Sequence, residues 1–183
     1  MGLQFTVDWF TCYIPLWEKH LSVFKGKPFL HFLEIGSFEG RSACWLLQNI
    51  LTHDSCSLTC IDLFPAEKQF DENMRHIGAT AKVTKLKGYS QDVLPTLLSY
   101  SFHFVYIDGD HSAFTVIADA VLSWRLLRAD GMLVFDDYKW QLGYCQPPFG
   151  TPKLAIDSFL QAYDGKYDMV HKGQQVILCK ANN

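Results

Sequence analysis

The 183-residue sequence lacks several features, and each absence narrows what the protein does. It has no basic cluster: 16 Lys and Arg stand against 19 Asp and Glu, for a net charge of −3. Neither a nucleic-acid backbone nor an anionic membrane surface would find a positive face to bind. No apolar run approaches the roughly 20 residues of a bilayer span. Met1 to Phe10 shows neither the charged start nor the apolar stretch of a secretory signal, so a cytoplasmic location is expected. The six cysteines, Cys12, Cys44, Cys56, Cys60, Cys145 and Cys179, match no zinc-binding spacing and are expected to be reduced and mostly buried. Repeats, linkers and low-complexity tracts are absent too. Charged residues make up only 19% and hydrophobic residues 49%, which supports a large core and excludes disorder. The 14 Phe, 8 Tyr and 5 Trp serve core packing first, with some left over to line a pocket.

What is present is an alternation of short apolar runs with segments of helical period. Strands are expected at Phe29–Ile35, Ser57–Asp62, Lys82–Leu86, Phe102–Ile107 and Met132–Phe135. The clearest helix is Ala113–Leu127, where Phe114, Ile117, Val121 and Trp124 share one face. Ser90 reads as a helix N-cap, and Thr151-Pro152 as an N-cap followed by a first-turn proline. The chain closes with an antiparallel hairpin, Tyr167–His171 and Gln175–Cys179. This order predicts an α/β fold, a doubly wound Rossmann-like sheet, in one domain over residues 1–183. Residues 1–28 form an N-terminal helical segment that either caps the active site or pads a sheet edge.

Two features point to an adenosine-containing ligand. Glu34-Ile35-Gly36-Ser37-Phe38-Glu39-Gly40 lies at a strand end and opens a helix, so Gly36 permits a sharp turn and close approach of a ligand. Ser37 replaces the middle glycine of Gly-x-Gly-x-x-Gly, which disfavours pyrophosphate binding and a nicotinamide dehydrogenase. Asp62 ends the second strand, where a carboxylate can accept the ribose hydroxyls or cap the segment that follows. At the third switch, Lys87–Asp92 frames an adenine, with Ser90 as cap or contact.

The fourth and fifth strands end in acids: Asp108-Gly109-Asp110-His111 and Asp136-Asp137. Ligands in open α/β sheets sit outside these carboxyl ends. Clustered carboxylates call for a positive partner, and a Mg²⁺-type ion prefers such hard oxygen donors. A metal at Asp108, Asp136 and Asp137 would lower the pKa of a substrate hydroxyl, and His111 would then remove the proton. Neighbouring strand residues face opposite ways, so Asp136 and Asp137 both reach one ion only if the strand breaks there. His111 has an alternative role as cap of the helix that follows it.

From Phe29 to Lys180 the chain resembles class I S-adenosylmethionine-dependent methyltransferases, and within them the bacterial macrocin-type O-methyltransferase and cephalosporin-hydroxylase-like group. The segments FLEIGSFEGRSACWLL, LTCIDLF, KGYSQDVLPTL, FVYIDGDHSAFTVIADAVLSWRLLRADGMLVFDDY and YDMVHKGQQVILCK carry the resemblance. It implies a seven-stranded sheet with an antiparallel last strand. It implies that Glu34, Gly36, Ser37 and Gly40 surround the methionine part of S-adenosylmethionine, that Asp62 binds the ribose with Leu63 beside it, and that Tyr89 and Ser90 lie near the adenine. Asp108, in contact with the cofactor, would hold Mg²⁺ together with Asp136-Asp137, and His111 would be the base. The expected reaction is O-methylation of a small hydroxylated acceptor. A metal-independent methyltransferase and a catalytically silent cofactor-binding module are the alternatives. The segment Tyr138–Pro152, rich in aromatics, Gly and Pro, is expected to act as a substrate lid. Together with the aromatic N-terminus it could also support a homodimer.

Overall fold

The computed structural model describes residues 2–140 and 150–182. Seven strands make one sheet: β1 His31–Ile35, β2 Ser57–Asp62, β3 Val83–Lys87, β4 Phe102–Ile107, β5 Leu127–Phe135, β6 Tyr167–Lys172 and β7 Val176–Lys180. Their order is β3-β2-β1-β4-β5-β7-β6. β1 pairs in parallel with β2 and β4, β2 with β3, and β4 with β5, while β7 runs antiparallel to β5 and to β6. The expected α/β doubly wound sheet with an antiparallel C-terminal strand is therefore present. The chain leaves β1 toward β2 on one side and returns to β4 on the other, so a crevice opens at the carboxyl ends of β1 and β4.

Strand alternation divides the core in two. Phe32, Leu58, Cys60, Phe104, Tyr106, Val134 and Ile177 face one layer. There they meet helix α1 (Ile14–Leu21), α2 (Arg41–Asn49) and α3 (Glu67–His76). Leu33, Ile35, Ile61, Val105, Ile107, Leu133, Phe135 and Leu178 face the other. They meet the short α4 (Ser90–Val93), α5 (Ala113–Leu126) and α6 (Pro152–Ala162).

The N-terminal segment packs on the face of the sheet over β4, not along an edge. Trp17 and Leu21 of α1 are fully buried on the sheet. The Trp17 ring packs edge-on against Phe10 at 4.7 Å and Tyr106 at 4.8 Å. Trp9, Cys12 and Tyr13, just before α1, instead line the crevice. Among the described cysteines all are free thiols: Cys44, Cys56 and Cys60 are buried and Cys12 is exposed.

Two local expectations need correction. β5 begins at Leu127, not Met132. Arg128–Gly131 lies before the apolar run, and the register shift between the Phe102–Leu127 and Phe104–Met132 pairs absorbs it, with Asp130 at a φ of +59°. Thr151 occupies the N-cap of α6 and Pro152 its first turn as expected, but the Thr151 side chain makes no capping hydrogen bond. No helix among the described residues is long and apolar enough to cross a membrane.

Candidate active site

Three backbone bonds bring the strand ends together. Gly36 N donates to Ile61 O, Asp108 N to Ile35 O, and Asp136 N to Ile107 O. At Gly36 the approach is so close that a Cβ would lie 2.0 Å from the Asp108 carbonyl oxygen, and its φ is +87°. Only glycine fits there. The result is a cavity of about 1200 Å³ above β1, β2 and β4.

Of the residues singled out in sequence, Gly36, Asp62, Leu63, Tyr89, Ser90, Asp108, His111, Asp136 and Asp137 line this cavity. Glu34, Ser37 and Gly40 are not on its wall; they build the turn from beneath. Glu34 is fully buried and accepts the Ser42 hydroxyl, tying β1 to α2. Burial, offset in part by hydrogen bonds from Ser37 and Ser42, pushes its pKa up to about 7. Gly40 is the left-handed N-cap of α2.

Asp62 has a role that the sequence does not reveal. Its Oδ2 accepts the backbone N–H groups of Ser37 and Phe38, both at 2.7 Å, and Oδ1 accepts that of Phe64 at 2.7 Å. One carboxylate thus clamps the glycine turn to β2. A carboxylate accepts about four hydrogen bonds, so a place is left for a ligand hydroxyl. The bond to Phe64 is the local cap weighed for Asp62. Ser90 does not serve as a helix cap: the N-cap of α4 is Tyr89, and the Ser90 hydroxyl donates to Asp119 Oδ1 at 2.6 Å. The N-cap of α5 is Ser112, which frees His111 from that role.

The strand does break after β5. Asp137 adopts a φ of +58°, and the acidic pair diverges. Asp137 Oδ2 lies 2.9 Å from His111 Nε2, which is 4.0 Å from Asp108 Oδ1. These three residues bring ligand atoms within 4.8 Å of one another. Asp136 turns inward instead and accepts from the Tyr106 hydroxyl and from Gln175 Nε2, the latter at 2.9 Å. Gln175 in turn accepts the Trp17 indole N–H at 2.7 Å, so a polar chain runs from the N-terminal helix to the acid cluster. The Tyr106 hydroxyl also lies 3.0 Å from Asp108 Oδ2. It has one proton for two carboxylates.

The electrostatics follow from this crowding. Burial and mutual repulsion raise the pKa of both Asp108 and Asp136. For His111, burial opposes protonation, but hydrogen bonds and attraction from Asp108 and Asp137 outweigh it and lift the pKa to about 10. The same carboxylates hold the His111 proton in place. The ring becomes a proton acceptor only when another charge neutralises the carboxylates. Two carboxylates and an imidazole converging on one point form a donor set that a divalent cation fits.

Sequence reasoning missed much of the wall. Asp8, Trp9, Cys12 and Tyr13 come from the N-terminal segment, Phe38 from the turn, Phe114 and Thr115 from α5, and Gln174 from the hairpin. Trp140, noted in sequence as part of the expected lid, packs on His111 with ring centroids 4.7 Å apart. The rest of that segment, 141–149, with Tyr144, Cys145, Pro147-Pro148 and Phe149, lies outside the described residues.

A seven-stranded sheet in this order, closed by an antiparallel strand and with its cavity at the β1/β4 switch, is the architecture of class I methyltransferases. A family model described as a methyltransferase domain matches residues 33–138, more than half of the chain, and the chain belongs to that family. A protein of uncharacterised function from Acanthamoeba polyphaga mimivirus is 29% identical over 162 residues, covering 86% of this chain and 71% of that protein. An O-methyltransferase of Aspergillus hancockii is 27% identical over 106 residues, covering 57% of this chain and 41% of that protein. Among solved structures, the fold matches the O-methyltransferase TomG of Streptomyces achromogenes, in complex with SAM, at a TM-score of 0.72 and 17% identity, over 92% of this chain and 80% of TomG. It also matches MycE methyltransferase of the mycinamycin biosynthetic pathway, in complex with Mg and SAH, at a TM-score of 0.68 and 14% identity, over 96% of this chain and 51% of MycE.

Proposed function

We propose that this protein is an S-adenosylmethionine-dependent O-methyltransferase acting on a small hydroxylated molecule. The observation that carries the reading is the glycine turn clamped by Asp62, set beside a carboxylate–imidazole cluster in one cavity of about 1200 Å³. Drug-sized ligands occupy sites of roughly 300–1,000 Å³, so this volume suits a cofactor with an acceptor beside it. We read residues 1–183 as one methyltransferase domain with 1–28 as its N-terminal segment; the burial of Trp17 and Leu21 in the sheet's own core supports this.

In this reading Gly36 lets the methionine end of the cofactor approach the backbone, and Glu34, Ser37 and Gly40 hold the turn in shape. Asp62 keeps a lone pair for the ribose, with Leu63 beside it. Tyr89 and Ser90 flank the adenine, and Asp119 fixes the Ser90 hydroxyl. Asp108 stands between cofactor and acceptor. When bound, the cofactor supplies an electrophilic methyl group, and a divalent cation supplies a Lewis acid for the acceptor oxygen. Asp108 and Asp137 would hold that cation, with His111 adjacent; Asp136, with Oδ2 engaged by Tyr106 and Gln175, would have only Oδ1 to offer. With the carboxylates neutralised, His111 is placed to take the acceptor's hydroxyl proton. A metal-independent variant of the same reaction would use His111 as base with the carboxylates structural, and the His111–Asp137 contact at 2.9 Å, which orients the ring, supports it.

Calorimetric titration with S-adenosylhomocysteine, with and without Mg²⁺, tests the reading. Binding near micromolar, about −8 kcal/mol, is expected; no binding in either buffer would overturn it. Mn²⁺ titration followed by electron paramagnetic resonance separates the two variants. One bound ion, lost in Asp137→Ala, supports the metal-assisted form, and no bound ion supports the other.

A further inference from the structure

The cavity's composition points to the kind of acceptor it takes. Its described lining includes six carboxylates, Asp8, Asp62, Asp108, Asp110, Asp136 and Asp137, and no lysine or arginine. Asp8 has a cation beside it, Arg41 at 3.6 Å, and the acid cluster has His111. An anionic acceptor entering this cleft meets like charge at low dielectric, and the one basic group on its described wall, His111, is already engaged by Asp137 and Asp108. A bound divalent ion and a sulfonium reduce that excess without supplying a basic side chain to receive a carboxylate or a phosphate.

Aromatic side chains line the cavity both at the acid cluster and at the glycine turn. Trp140 packs on His111, and Trp9 packs on Phe38 with centroids 5.7 Å apart while 70% of its surface stays exposed. Tyr13 lines the same cavity half-buried, close enough to Asp108, Asp136 and Asp137 to feel their charge. The segment that carries Trp9 and Tyr13 is strapped down. Thr6 donates from both its N–H and its hydroxyl to Glu39, each at 2.7 Å. Arg41 holds Asp8 and the Thr11 hydroxyl, and Asn73 exchanges hydrogen bonds with the Gln4 backbone at 3.0 and 2.8 Å. An exposed tryptophan held in place on a cavity wall is a pre-organised stacking surface.

Building on the methyltransferase reading above, we propose that the acceptor is an uncharged or cationic aromatic molecule. It is seated against Trp9 and Tyr13 on one side and Trp140 on the other, and acceptors bearing a carboxylate or phosphate are turned away. Aromatic faces hold planar rings and attract cations, and the missing basic residues reject anions.

A matched set of phenols tests this by ligand-observed NMR titration on the protein loaded with S-adenosylhomocysteine. Tyramine is cationic, 2-(4-hydroxyphenyl)ethanol is neutral, 4-hydroxyphenylacetate is anionic, and methyl β-D-glucoside serves as a non-aromatic hydroxylated control. The first two are expected to bind, with the anion and the glucoside weaker by at least about tenfold. Trp9→Ala should weaken the first two by about tenfold, measured on variant protein that calorimetry shows to be saturated with S-adenosylhomocysteine. Equal or tighter binding of the anion or the glucoside overturns the proposal. So does binding of none of the phenols at millimolar concentration, or a Trp9→Ala variant that binds them normally. Failure to bind S-adenosylhomocysteine at all is a separate outcome and removes the methyltransferase reading on which the proposal rests.

Discussion

Replacing Asp119 with asparagine should stabilise the protein at neutral pH and not at acid pH. Asp119 lies on α5 with 1% of its surface exposed. One carboxylate oxygen accepts the Ser90 hydroxyl, and Oδ2 has no hydrogen-bond partner among the described residues. Burial, opposed by the Ser90 bond and reinforced by Asp110, lifts the pKa from 3.8 to about 6. Between those two values the folded protein keeps a proton that the unfolded chain has released, so stability falls as pH climbs through the window. Two units at about 1.36 kcal/mol each put the full cost above that window at about 3 kcal/mol. Asparagine keeps an acceptor for Ser90 but points an amide N–H₂ where Oδ2 was, at a cost of about 1 kcal/mol. The net expectation is a gain of about 2 kcal/mol at neutral pH, turning to a loss of about 1 kcal/mol near pH 4. Urea unfolding of both proteins across this range reads the difference directly. An advantage of the same size at every pH, or a variant less stable at neutral pH, would refute the assignment of a buried, ionised and under-paired carboxylate.

Gly36→Ala should lower stability by more than about 3 kcal/mol, because the added methyl meets backbone and the backbone conformation is left-handed; thermal melts of the ligand-free protein report it. Asp62→Ala should weaken S-adenosylhomocysteine binding in calorimetry. It should also lower the melting temperature without ligand, since three backbone N–H groups lose their acceptor at about 1 kcal/mol each; an unchanged melt would mean that the clamp contributes nothing. Trp17→Ala should cost about 3–5 kcal/mol in urea unfolding. Trp17→Phe should recover most of the packing but not the hydrogen bond that supports Gln175.

Strand positions were legible because they obey a local rule. In β1 and β4 all but His31, His103 and the buried Glu34 are apolar, so the runs stand out, and Ser57–Asp62 and Phe102–Ile107 match to the residue. The apolar run of β5 starts only at Met132, after the charged Arg128 and Asp130 and after Gly131, and no local signal shows that a bulge lets such residues stay in a sheet. The carboxyl-end acids were legible for the same topological reason as the strands. Their directions were not. Whether Asp136 or Asp137 joins His111 depends on one left-handed residue and on Tyr106 and Gln175, which lie 30 and 39 positions away. The N-terminal wall was hidden because Trp9, Tyr13 and Trp17 belong to one aromatic stretch. Period alone assigns such a stretch to a core, and only the three-dimensional path separates Trp17 in the interior from Trp9 in the cleft.

Glu39 and Arg41 flank Gly40, so the residues that fasten the N-terminal segment stand on the same turn that Asp62 clamps to β2. On the methyltransferase reading, acceptor and cofactor would then rest on one shared turn rather than in two independent pockets. Whatever factor one lent to the other's affinity through it would be returned in full.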